Sequence, residues 1–462
     1  MLTGLALMPL GTLAAEPIRL HPDNPHYFLW RGQPTVLITS GEHYGAVLNL
    51  DFDYVKYLNA LAQDKLNNTR TFTGGTYVEP TGAFNIAKNT LAPLPGRFIC
   101  PWARSDQPGY QGGGNKFDLD RWDAAYFQRF RDFVAKAGER GVVVEVNLFC
   151  PFYEDSMWVL SPLHPNNNVN GVGLGLARTN VYTLDRHGGT LALQVRLVRK
   201  IVEELRDFDN LYYEICNEPY FGGVTVEWQH YIADQIMDAQ RTHPHPKLIA
   251  RNVANGQARV TDPSTNISIY NFHYATPPAS VALNWGLNRV IGDNETGFNG
   301  TNDAPYRMEA WDFIIAGGAL FNHLDYSFVA GHEDGSFVYP AKQPGGGNPG
   351  FRRQMGILRD FINGFDFVRM KPDNTVLHGG VPKGGSGRAL VESGKAYAIY
   401  LRGQGEAFAP ELELPAGSYQ ATWVSPLSGK VVKAEKFAHG GGPRKLVAPA
   451  FNPDLALSIK LQ

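Results

Sequence analysis

Residues 211–223 read LYYEICNEPYFGG: a largely apolar run, then Asn-Glu-Pro, then two glycines. Tyrosine and isoleucine favour a pleated, packed surface, and the proline and glycines end the run, so LYYEIC (211–216) is a strand. Helical patterns flank it, LALQVRLVRKIVEELR (191–206) before and TVEWQHYIADQIMDAQRT (225–242) after. A strand between two amphipathic helices belongs to a parallel sheet, because a parallel neighbour is reached only by a crossover.

The alternation extends both ways. Strand candidates are TVLITS (35–40), NNTRTF (67–72), VVVEVNLF (142–149), LYYEIC, KLIARN (247–252), ISIYNFHY (267–274), RVIGDNE (289–295) and ALFNHLDY (319–326). Eight such runs favour closure into a (β/α)8 barrel. The alternative is an open doubly wound sheet, which would want a phosphate-binding loop near its first strand. The glycine cluster GVGLGLAR (171–178) has the wrong spacing and joins no strand to a helix.

Residues 18–34 read as a short hairpin ahead of the barrel. Past residue 367 the texture changes to short alternating strands separated by Gly, Pro and Ser turns, the pattern of an antiparallel β-sandwich. The expected division is a possible signal-peptide remnant at 1–17, a barrel with its hairpin at 18–367, and a sandwich at 368–462. MLTGLALMPLGTLAA, the first fifteen residues, is too short to span a bilayer and has the apolar, small-residue character of an export signal without the usual basic start. An ordinary N-terminus is the other reading; export implies a secreted or periplasmic protein.

Composition sets the function classes. A net charge of -2 over 462 residues leaves no electrostatic footprint for nucleic acid or an anionic membrane. Aromatic residues make up 12 %, and 50 glycines and 31 prolines imply long, shaped loops. The inserts after the second strand (73–120) and the third (151–187) carry Tyr77, Phe84, Phe98, Trp102, Tyr110, Tyr153 and Trp158, rings able to stack on sugar C–H faces. Of the three cysteines, Cys216 reads as core, while Cys100 and Cys150 could pair. No CxxC or HExxH occurs, HEDG (332–335) reads as a polar loop, and no metal or cofactor is expected.

Strand parity puts Glu214, Cys216 and Glu218 on one side of their strand, facing the barrel interior. Glu214 is then deep and neutralised by a neighbour such as Arg70. Glu218 reaches the open face, held extended by Pro219. Its partner is in RVIGDNETGFNG (289–300), where Glu295 ends the seventh strand as Glu218 ends the fourth. Two carboxylates at facing strand ends are what glycoside hydrolysis needs, about 5–5.5 Å apart for the retaining route.

With NEP at strand four and a glutamate at strand seven, residues 18–365 resemble the retaining glycoside hydrolases of the (β/α)8 clan A, family 5 being nearest in style. The resemblance implies Glu218 as acid/base, Glu295 as nucleophile and Asn217 as ligand of the sugar 2-hydroxyl. It matches Arg70 to the family's strand-two arginine, and His273 and Tyr274 of NFHYA (271–275) to residues that orient Glu295. Glu42, His43 and Tyr44 of SGEHYG (40–45) would reach the same face, and Trp102 of the long insert would bind substrate. The family's strand-eight tryptophan is missing; FNHLDYSFVAGHEDG (321–335) offers Tyr326 or His323 instead. His273 and Tyr274 are also adjacent, where the family has them one residue apart. The expectation is β-glycoside hydrolysis by double displacement, with Glu218 protonated in the free enzyme by the charge of Glu295. A non-catalytic carbohydrate-binding protein and a transglycosylase are the alternatives. Sugar, linkage and oligomeric state are not legible.

Overall fold

The computed structural model describes residues 16–381, 385–403 and 408–462, so the export signal expected at 1–17 lies almost wholly outside the described residues. Eight parallel strands form one sheet: β1 (Leu37–Gly41), β2 (Asn68–Phe72), β3 (Val143–Phe149), β4 (Leu211–Cys216), β5 (Ile249–Asn255), β6 (Ile269–His273), β7 (Val290–Thr296) and β8 (Leu320–Leu324). Ladders run from β2 through β3 to β8 in chain order and then from β8 to β1. The fold is a (β/α)8 barrel followed by antiparallel sheets. Each strand candidate in the sequence corresponds to one of the eight, with ends shifted by up to three residues.

β1 and β2 close the circle without a regular ladder. The Asn67 side chain takes that place: Oδ1 accepts from Ile38 N at 2.9 Å and Nδ2 donates to Val36 O at 2.8 Å. Its own N–H reaches Ile38 O at 3.3 Å. One amide thus satisfies the backbone groups that a strand would otherwise have paired.

The outer helices are α1 (Tyr54–Gln63), α2 (Ala124–Glu139), α3 (Thr190–Glu204), α4 (Val226–Ala239), α5 (Ala279–Asn284), α6 (Asp303–Ile315) and α7 (Pro349–Asn363). Side-chain caps start several of them, Asp53 on α1, Asp123 on α2 and Asn348 on α7 among them. α2 buries Phe130, Phe133 and Val134, and α3 buries Leu197, Val198 and Ile201, so each turns one apolar stripe to the strands.

The N-terminal hairpin is Phe28–Trp30 paired with Gln33–Thr35, joined by a third short strand at Arg19–Leu20. The insert after β2, read as loop, contains a two-stranded ribbon of Trp102–Pro108 with Asn115–Trp122. The C-terminal strands form a six-stranded and a three-stranded antiparallel sheet. α6 is buried on both faces because it lies between barrel and C-terminal sheet. Trp311 stacks on Tyr400 at 5.5 Å, Asp312 takes Arg388 at 3.0 Å and Arg402 at 2.5 Å, and Arg307 forks onto Asp454 at 2.9 Å through both nitrogens. The buried apolar cluster of the barrel runs on into Leu390, Ala398, Tyr400 and Ala456.

Candidate active site

All eight strands run the same way, so the segments that follow them gather at one end. There a cavity of about 310 Å³ is bounded by the loops after β1 and β4, the β2 insert, and the ends of β6 and β7. Glu218, Glu295 and Asn217 line it with His43, Tyr44 and Tyr274. A larger hollow of about 620 Å³ lies on the outer wall between α2 and α3, lined by residues such as Phe127, Arg131 and Glu204, away from the strand ends.

Arg70, fully buried on β2, organises the floor. Its Nε donates to Glu145 at 3.0 Å, Nη1 to Glu295 at 3.1 Å and Nη2 to Asn217 Oδ1 at 2.7 Å, and Nη2 also pairs with Glu214. Its guanidinium lies 4.6 Å from the Tyr44 ring centroid, a cation–π contact. One arginine cannot neutralise three buried carboxylates. Burial, and then the neighbouring Glu214, push the Glu145 carboxyl up, which favours its protonated form in this crowded floor.

Glu295 is held by three donors. Tyr274 OH reaches Oε1 at 2.9 Å, Tyr44 OH reaches Oε2 at 3.0 Å, and Arg70 shares Oε2. Glu218 accepts from Tyr153 OH at 2.7 Å and from Tyr220 OH at 3.2 Å. Nδ1 of His273 stands between the two carboxylates, 3.1 Å from Glu218 and 3.5 Å from Glu295. One oxygen of each carboxylate and this nitrogen all lie within 4.8 Å of one another. Asn217 donates through Nδ2 to Tyr153 OH at 2.8 Å.

Glu218 itself, at φ 35°, and two residues that bond Glu295, Tyr44 at φ 61° and Tyr274 at φ 52°, have a left-handed backbone despite their side chains. Such conformations cost on the order of 1–3 kcal/mol each and persist only where the surroundings impose them. Glu218 is therefore not extended, contrary to the expectation from Pro219. Proline disfavours the right-handed helical region for the residue before it, and the chain turns through the left-handed one instead. Tyr274 at positive φ explains how two adjacent residues, His273 and Tyr274, both serve one site. A register shift between β6 and β7, where His273 pairs with Glu295 and Phe272 with Asp293, has the same effect for Asn294 and Glu295. Asn294 bonds Glu145 and Glu214 below while Glu295 faces the cavity.

Electrostatics correct a second expectation. Burial pushes the Glu218 carboxyl up, but hydrogen bonding and charge from His273, with Tyr153 and Tyr220, outweigh it and hold the group below the ordinary carboxylate value. Held low in this way, Glu218 is disposed to ionise rather than to rest as the protonated acid expected from the sequence. The imidazole, assigned from sequence to Glu295, has the shorter contact to Glu218.

Three residues expected at the cleft lie elsewhere. Glu42 turns into its own loop, accepting from Gly45 N at 2.9 Å, Ala46 N at 3.1 Å and Thr90 Oγ1 at 2.6 Å. Trp102 is buried in the insert, stacked 4.7 Å from Trp122 with Nε1 donating to Gly75 O at 2.7 Å. Tyr326 is buried behind the cavity, its ring 5.9 Å from His43 and 6.1 Å from Phe298. His323, its alternative, is buried against Ser40 at 2.9 Å. Glu42 and Tyr326 stand just past their strand ends and Trp102 in the β2 insert, where the turns of the loops set the side-chain directions. Tyr153, Tyr220 and Glu79, which also shape the site, come from loops whose long-range contacts no local pattern announces. Cys100, Cys150 and Cys216 are all buried free thiols, so the Cys100–Cys150 pair does not form.

No protein-family model matches the sequence, and no curated protein matches it. Solved structures match the fold. A provisionally assigned glycoside hydrolase from Bacteroides vulgatus aligns with TM-score 0.69 at 12 % identity over 98 % of this chain and 84 % of its own. A glycoside hydrolase family 5 structure from the same organism gives 0.63 at 13 % identity, over 96 % and 93 %. A family 30 subfamily 8 xylanase from Clostridium acetobutylicum gives 0.50 at 12 % identity, over 96 % and 100 %. The chain shares the barrel-plus-sheet fold of these glycoside hydrolases.

Proposed function

We propose that the protein is a retaining glycosidase that hydrolyses β-glycosidic bonds by double displacement. The observation that carries this reading is the pair Glu218 and Glu295, at the ends of β4 and β7, with oxygens within 4.8 Å across one small cavity. Such a gap suits direct attack by a carboxylate and is too short for the ~6.5–9.5 Å spacing that seats an attacking water.

In the first step an oxygen of Glu295 attacks the anomeric carbon while the leaving oxygen takes a proton from Glu218. Tyr274, Tyr44 and Arg70 hold Glu295 in line, and Asn217 stands beside it for the 2-hydroxyl. Entry of the sugar displaces water and adds to the burial that already pushes Glu218 up, favouring its protonated form for the first step. Glycosylation consumes the charge of Glu295. In the second step Glu218 takes a proton from water, whose oxygen replaces Glu295 at the anomeric carbon and restores the β configuration.

Residues 18–367 form the catalytic part in this reading and 368–462 an accessory part. Export would bring the enzyme to its glycan, and no helix among the described residues is long and apolar enough to cross a membrane. The reading is tested by release of sugar from a panel of aryl β-glycosides, β-glucans, mannans and xylans. Hydrolysis with retained anomeric configuration, followed by NMR, supports it; initial release of the inverted anomer refutes it.

A further inference from the structure

Glu79 has no place in the double displacement, yet this buried carboxylate lines the same cavity. Tyr77 OH donates to its Oε1 at 3.0 Å, and Asn89 Nδ2 donates to Oε2. Two donors fix its orientation and leave further lone pairs on both oxygens. Opposite stands His43, also buried and lining the cavity, whose Nε2 is 3.6 Å from Glu79 Oε2. That is too long for a hydrogen bond, and neither ring nitrogen has a hydrogen-bond partner among the described residues. Burial pushes the imidazole down, but Glu79, Glu295 and Glu42 outweigh it and raise it, which favours the donor form. A buried donor and a buried acceptor therefore face one space with bonding capacity to spare, a costly arrangement unless a ligand fills it.

The pair has a definite side. His43 precedes Tyr44, which bonds Glu295, so it lies beside the carboxylate that would attack the anomeric carbon. Phe221, at the mouth, follows Glu218 and Tyr220 on the leaving-group side, and it is 43 % exposed. Behind the pair the wall is solid. Glu79 N bonds Leu91 O at 2.9 Å, Thr90 Oγ1 bonds Glu42 at 2.6 Å and His43 O at 2.8 Å, and an added Cβ on Gly45 would meet Thr90 O at 2.2 Å. The β2 insert is thus fastened to the loop after β1 and closes the cavity on the sugar side.

We infer that His43 and Glu79 grip two neighbouring hydroxyls on the far edge of a single terminal sugar, one accepting from His43 and the other donating to Glu79, so that the enzyme removes sugars one at a time from the non-reducing end. This rests on the glycosidase reading and specifies its substrate: an unsubstituted terminal β-glycosyl residue. A chain continuing past that sugar would have to pass through Leu91 and Thr90.

The test pairs the enzyme with substrate deletions. On the aryl β-glycoside that wild type cleaves best, Glu79→Ala and Glu79→Gln should lose about 10–100-fold in kcat/KM, the worth of a charged hydrogen bond. With the 3-deoxy or the 4-deoxy sugar, wild type should fall to the level of Glu79→Ala, and the variant should fall no further. Independent, multiplying losses with both deoxy sugars would overturn the inference. Thermal melting of Glu79→Gln, which keeps the side chain's shape, separates lost contact from a loosened wall. A reducing-end-labelled tetrasaccharide should first yield only labelled trisaccharide, and early mixed lengths would also overturn it. If wild type cleaves no glycoside, the catalytic reading fails. Calorimetric binding of the free monosaccharides of the panel then decides the subsite: binding abolished by Glu79→Ala upholds it, and binding indifferent to that change, or none, refutes it.

Discussion

Nδ1 of His273 lies 3.1 Å from Oε1 of Glu218, and that contact sets the electrostatics of the proposed acid/base. The imidazole stabilises the charged carboxylate, so Glu218 sits low at rest although burial alone would raise it. A general acid works only while protonated, and activity on poor leaving groups should fall as pH rises through its value.

Replacing His273 by Asn removes the charge and lets burial act. The Glu218 value should rise, and the alkaline limb of the kcat/KM profile should move to higher pH. A limb that stays in place, or moves down, would contradict the assignment. Tyr153→Phe, which removes a 2.7 Å donor from Glu218, should shift the limb the same way.

Rescue experiments separate the two carboxylates. Glu218→Ala should lose about 10²–10⁴-fold on poor leaving groups, little on activated ones, and regain rate with azide as the β-glycosyl azide. Glu295→Ala should lose at least that much on every substrate and give the α-azide. Full activity in Glu295→Gln would remove the nucleophile from the mechanism.

Arg70→Met should both inactivate and destabilise. It strips the counter-charge from Glu214 and Glu295 in a buried floor, a loss of about 3–5 kcal/mol measurable by denaturant unfolding. Exposed pairs such as Lys136–Glu139 are worth under about 1 kcal/mol, so Lys136→Ala should leave the unfolding midpoint nearly unchanged.

Glu42 supplies a pH test of the wall. Burial raises it to about 7 against hydrogen bonds from Thr90, Gly45 and Ala46. Between the unfolded value, ~4.3, and about 7 the folded state binds the extra proton, so stability should fall as pH rises through that window, by roughly 1.4 kcal/mol per unit. Glu42→Gln cannot ionise but sets an amide NH2 against a backbone N–H of Gly45 or Ala46, so it should melt below wild type near pH 5 and lose none of its stability between pH 5 and 8. Parallel curves would refute the assignment.

The eight strands were legible because each is a short apolar run bounded by turn residues, with a helical period on either side. Glu218 and Glu295 stood out because both come just where such runs end. Glu214 and Arg70 followed from parity, which holds inside a strand. Past the strand ends Glu218 still reached the open face as parity placed it, but the left-handed backbone at Glu218 and Tyr274 and the irregular register before Glu295 are features alternation does not foresee. Glu42 and Trp102 were misplaced because loop turns, which the sequence pattern does not reveal, aim one into its own loop and bury the other in the insert. Glu79 was out of reach, and Tyr153 was read only as a sugar-stacking ring and not as a donor to Glu218, because folding, not spacing, brings residues 139 and 65 positions before Glu218 to its cavity.

The clasp between α6 and the C-terminal sheet has a consequence for handling the protein. Arg307 forks onto Asp454, and the barrel's apolar core continues under Tyr400 and Ala456. Cutting the chain near residue 368 would leave a buried guanidinium without its carboxylate and an oily face open to water. The two halves should melt in one cooperative calorimetric transition, and the barrel expressed alone should aggregate rather than serve as a minimal enzyme.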